Sequence, residues 1–149
     1  MRPDTTGMTP VNAFDDEELR ALADEARSFI TSFRWCRAVR ESFLAFGVGR
    51  IIGVFLFRIE PAELGVDETL WVVVGDMPSA YLVCDDATDW RGALRGYIYE
   101  MRRWVEAVRS GGSLDDIIPV RADPTREHAE MLASRLDVIE EQMIDGSTE

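Results

Sequence analysis

Between Ile51 and Val83 the chain carries runs that are apolar on both phases of a two-residue period. Side chains alternate between the two faces of a strand. Ile51, Gly53, Phe55, Phe57 and Ile59 therefore point one way, and Ile52, Val54, Leu56 and Arg58 the other. In the next run Leu70, Val72 and Val74 stand opposite Trp71, Val73 and Gly75. β-Branched and aromatic residues dominate, the runs are short, and turn formers bound them, which favours strand over buried helix. A strand that is apolar on both faces must be covered on both. Either helices sandwich this sheet or a second subunit does, and that choice governs what the rest of the chain must supply.

The connections predict an antiparallel order. Gly75-Asp76-Met77-Pro78-Ser79 is dense in turn formers and leads into a third strand over Ser79–Cys84, where Tyr81 and Val83 oppose Leu82. The stretch from Ala62 to Glu68 is too short for a parallel crossover. Upstream, Arg40–Phe46 alternates and Gly47-Val48-Gly49-Arg50 makes a plausible hairpin into Ile51. Trp35, Val39 and Phe43 also fall at helical spacing, so a helix over Trp35–Phe46 is the rival to a fourth strand there.

Helix grammar marks three further segments. Asp15 is expected to cap the first, with Glu18 at the third helical position and Phe14 stapled onto Leu19; its stripe is Leu19, Leu22, Ala23, Ala26, Ile30 and Phe33. A second helix follows Thr88, with Trp90, Ala93, Leu94, Tyr97, Ile98, Met101, Trp104, Val105 and Val108 at three- and four-residue steps, and stops at Ser110-Gly111-Gly112. Ile117, Ile118 and Val120 are expected to plug the core edge. The third helix is expected to start at Asp123 with Pro124 in its first turn, on a stripe of Leu132, Leu136, Ile139 and Met143. The expected architecture is an α+β fold: an antiparallel meander sheet of three to four strands packed with three main helices, in the order α-β-β-β-β-α-α. Residues 14–144 form one domain, with flexible tails at 1–13 and 145–149.

Composition narrows the function. The formal net charge of −12 is concentrated at the ends: residues 1–27 hold seven acids against three arginines, and residues 110–149 ten against three. Such a surface argues against nucleic acid, which requires a basic footprint, and suits a basic protein partner. Every basic residue is Arg and none is Lys, a trait read as nucleotide composition of the source genome. No apolar run reaches the roughly 20 residues of a membrane span, and the first residues, MRPDTTGMTPVNA, do not read as a secretory signal. Cys36 and Cys84 match no metal spacing and read as buried thiols of a reducing cytoplasm.

No catalytic, cofactor or metal motif stands out. His128, the sole histidine, sits at the edge of an apolar stripe and reads as a helix-surface residue. Asp85-Asp86 and Asp115-Asp116 precede helical segments, where acids serve as caps. Gly47-Val48-Gly49 lacks the further glycine and following helix of a phosphate loop. Possible ligand or partner contacts are Arg58, which ends an apolar strand face, together with Asp76, Tyr81 and Trp71. The expected function is a non-catalytic protein-interaction module, of the inhibitor, immunity or secretion-chaperone type. The alternative is a small-ligand binder or enzyme with a pocket between sheet and helices near Arg58. Apolar surplus over what one short sheet needs also predicts a homodimer.

Overall fold

The computed structural model describes residues 5, 7–13, 16–49, 51–65, 67–84, 87–115, 117–118, 120 and 123–145. Its strands are β1 (Thr9–Pro10), β2 (Cys36–Val48), β3 (Ile52–Pro61), β4 (Thr69–Gly75) and β5 (Ala80–Val83). They form one sheet in sequential order, antiparallel throughout. The helices are α1 (Glu17–Thr31), α2 (Trp90–Ser110) and α3 (Arg126–Ile139), the last continued by a π-helical turn over Glu140–Asp145. This is the expected α+β meander with one strand more. Thr9 and Pro10 lie against Leu44 and Phe43 at the outer edge of β2. So short a pairing has no periodicity to betray it.

The segment with two rival readings is strand. β2 spans thirteen residues and pairs with β3 along its whole length, with register shifts between Cys36 and Ala38, Val39 and Glu41, and Leu44 and Phe46. Those shifts explain why the pattern also fitted a helical step: each bulge turns the side-chain phase by one residue.

The sheet is covered on both faces by the chain itself. On one face Phe55, Phe57, Ile59, Leu70, Val72 and Val74 pack against Leu22, Ala23, Ala26, Phe29 and Ile30 of α1. On the other, Ile52, Val54, Leu56, Trp71 and Val73 meet Ala93, Leu94, Tyr97, Ile98, Met101, Trp104 and Val105 of α2. α3 joins this second layer through Ala129, Leu132, Leu136 and Ile139. Ile117, Ile118 and Val120 pack against the same cluster. Both faces of β3 and β4 are thus covered by helices of the same chain. Full burial of each large side chain stabilises by about 1.5–3 kcal/mol.

Three helix starts differ from expectation, each by one or two residues. Asp16 caps α1, its Oδ1 accepting from the N–H groups of Glu18 and Leu19 at 2.9 and 3.1 Å. Asp15 and Phe14 lie outside the described residues. Asp89, not Thr88, caps α2, with its carboxylate 2.8 Å from the Gly92 nitrogen. Thr125, not Asp123, caps α3 and accepts from the His128 nitrogen at 3.2 Å. Each stretch offers neighbouring capping residues, and spacing alone does not rank them. The stop of α2 is where the glycines place it: Gly111 takes φ 70°.

Candidate functional site

The four residues singled out from sequence do not converge. Arg58 lies opposite Glu41 in the β2–β3 register, its guanidinium 2.9 Å from that carboxylate and 5.5 Å from the Phe43 ring centre. Its charge is answered within the sheet, although its Nε is buried with no hydrogen-bond partner among the described residues. Trp71 is fully buried, and its indole N–H donates to the Ala87 carbonyl at 2.9 Å. Tyr81 belongs to the opposite face of the sheet, in an aromatic group with Phe29, Phe33 and Trp35 at centroid distances of 4.9–6.5 Å. Asp76 sits beyond the far end of β4 from Arg58, since Arg58 pairs with Thr69 and Ile52 with Gly75. Six strand steps separate those two ends by about 20 Å.

Asp76 leads to a site that sequence reasoning did not assemble. Its carboxylate accepts from Arg135 Nε on α3 at 3.1 Å, while its own N–H donates to the Ile51 carbonyl at 3.0 Å. Gly75 makes this approach possible. It adopts φ 145°, and a Cβ there would lie 2.3 Å from the Ile51 oxygen. The β2–β3 connection, the β4–β5 turn and α3 are thereby drawn around one cleft of about 480 Å³. Ile51, Met77, Met131, Val138 and Ile139 supply its apolar lining, with Asp76, Ser134 and Arg135 as polar members.

Within the apolar lining Ile139 is core and Met77 packs against it, but the other three residues are not core that happens to show. Ile51, Met131 and Val138 are 49%, 47% and 53% exposed, three of the six large hydrophobic side chains that the described residues expose. Met131 and Val138 are seven residues apart, two helical turns, and form a second stripe on α3 beside the buried Leu132, Leu136 and Ile139. That spacing is legible in the sequence, but the acids around it make the face read as solvated. A smaller pocket of about 90 Å³ adjoins the cleft, sharing Met77 and Met131 with it and lined further by Pro78, Trp104 and His128. Pro78 is held by Tyr97: the phenol donates to its carbonyl, and burial pushes the Tyr97 pKa well up, so it stays a neutral donor.

No family model matches the chain, and no curated protein or solved structure is detectably similar to it. The site must therefore be read from its own geometry.

The remaining sequence candidates have structural partners or fall outside view. His128 Nδ1 lies 2.7 Å from Thr125 Oγ1, inside the cap of α3. Cys36 and Cys84 are buried in different clusters, and burial raises the Cys36 thiol pKa against a smaller lowering by Arg27. Asp85, Asp86 and Asp116 are outside the described residues; Asp115 N–H donates to Ser113 Oγ. Among the described residues no three His, Cys, Asp or Glu side chains are grouped to hold a metal ion. No helix there is long and apolar enough to cross a membrane.

Proposed function

We propose that this protein is a non-catalytic protein-interaction module that docks a protein partner along the α3 cleft. One observation carries the reading: half of the large hydrophobic side chains that the described residues expose gather on one cleft instead of scattering. Single exposed apolar residues are ordinary on a protein surface, whereas a contiguous apolar patch rimmed by polar groups marks a site of association. The two methionines, Met77 and Met131, add to it, because an unbranched thioether adapts to more than one partner surface. The Arg135–Asp76 pair bridges the two walls at the cleft. It is 40% and 67% exposed, so it contributes under about 1 kcal/mol to stability and acts by holding α3 in register with the β4–β5 turn.

Site-specific photo-crosslinking in the native host tests this. A photoreactive residue at Met131 is expected to trap one discrete protein, and the same residue at Asp24 on the outer face of α1 is not. Loss of that product when Val138→Asp is combined with the photoreactive residue at Met131, with the circular dichroism spectrum unchanged, is the expected control. Equal products from both positions, or none from Met131, would overturn the proposal.

A further inference from the structure

The cleft has a shape and a charge, and together they specify its occupant. We infer that it takes a single amphipathic helix with a basic flank, contributed by a different protein; the inference rests on the interaction reading above.

Extended peptides gain affinity by adding main-chain hydrogen bonds to a free sheet edge. This cleft offers helix side chains on one wall and two turn regions on the other, so no ladder is available to an extended chain. Met131 and Val138 repeat over two turns, about 10 Å along the axis, and Ser134 and Arg135 lie between them. A partner helix laid beside α3 meets that repeat with apolar side chains at matching three- and four-residue steps, the mode in which amphipathic helices enter grooves.

Charge decides between a foreign helix and a second copy. The acids of α3 and of the turn that continues it divide into two sets. Asp137 and Glu140 are bonded to Arg102, and Glu130 to Arg109, all towards α2. Glu127, one turn before Met131, and Glu141, three residues beyond Val138, make no ion pair among the described residues. Arg135, the cation in the cleft lining, is already held by Asp76. The two ends of the apolar stripe thus carry carboxylates without an ion-pair partner among the described residues, on a chain of net charge −12. A twofold interface would set α3 of one copy against the same patch of the other and place these carboxylates in one another's field. A helix flanked by Arg or Lys relieves both ends.

The test uses the intact chain and a model peptide of about five turns with a leucine face and a lysine face. Its control keeps the leucines and replaces each lysine by glutamate. Binding is read by anisotropy of labelled peptide at low and physiological salt. The lysine peptide is expected to bind at least about tenfold more tightly than the glutamate peptide. Val138→Asp should abolish this binding with the circular dichroism spectrum intact. Glu127→Gln with Glu141→Gln should weaken it and flatten its salt dependence. Equal affinity for the two peptides, or lysine-peptide binding indifferent to Val138→Asp, would overturn the inference. So would a concentration-dependent dimer in sedimentation that Val138→Asp dissociates, because the occupant would then be a second copy. A failed peptide experiment with the Met131 crosslink still present removes the basic helix and leaves the interaction reading; failure of both removes both.

Discussion

α1 and α3 are amphipathic helices of nearly equal length, 15 and 14 residues, yet they treat their apolar residues differently. α1 lies directly on the sheet and uses its large hydrophobics there: Leu22, Phe29 and Ile30 are buried, and Leu19 packs against the same cluster. Its outer face is Arg20, Asp24, Glu25, Arg27 and Ser28. α3 sits at the margin of the opposite layer, against α2 and the cleft. It buries Leu132, Leu136 and Ile139 but leaves Met131 and Val138 in water. One buried stripe is enough to seat a helix. The second stripe on α3 therefore has no folding task to explain it, and it is where function is sought.

The largest effects should be alike for the two helices. Ile30→Ala and Ile139→Ala both remove a large side chain from a buried site, at 0% and 2% exposure, and each should cost about 2–5 kcal/mol. Urea unfolding with an unchanged slope reads this directly. A loss below about 1 kcal/mol for Ile139→Ala alone would break the comparison, by showing that α3 is held to the fold less firmly than its buried stripe implies.

Sequence reasoning saw the stripes that build the fold better than the surfaces that use it, for a physical reason. Core faces obey a period, and the strands at Ile52–Pro61 and Thr69–Gly75 declare themselves because both phases are apolar. β1 is two residues long and has no period. The cleft is assembled from Ile51, Met77 and Met131, which come from three separate segments, so no local window contains it. Asp76 was legible as a turn residue. Its bond to Arg135, 59 positions away, was not. Arg58 drew attention as a charge on an apolar face, but its partner Glu41 depends on a register that the β2 bulges shift. Trp71 was a candidate for a pocket between sheet and helices, whereas its full burial in the cluster shared with α2 makes it core.

Intermediate effects test the helix starts. Asp16 caps α1 with two hydrogen bonds, to Glu18 and Leu19, and Thr125 caps α3 with one, to His128. Asp16→Ala and Thr125→Ala should each cost about 0.5–2 kcal/mol. Asp16→Ala should lie at the upper end, since it also removes a negative charge from a helix N-terminus. Asp123→Ala should fall within about 0.5 kcal/mol of wild type in the same measurement. A larger loss at Asp123 than at Thr125 would move the start of α3 back to the proline.

The smallest effect sharpens the comparison most. Val138 and Ile139 are adjacent, both β-branched and both in the last turn of α3, but one is 53% exposed and the other 2%. Val138→Ala gives up little buried surface, and it replaces a residue stiff at χ1 by the best helix former. The two terms oppose each other and are each a few tenths of a kcal/mol, so the net change should stay within about 0.5 kcal/mol, with either sign. Ile139→Ala gains the same propensity, yet the cavity it leaves outweighs that gain several-fold. Thermal unfolding of the pair, run beside the Met131 crosslinking experiment, separates folding from docking at neighbouring positions. Val138→Ala should leave the melting curve in place while reducing the crosslink. A destabilisation beyond about 1 kcal/mol at Val138 would mean that the outer stripe of α3 belongs to the fold, and the contrast with α1 would disappear.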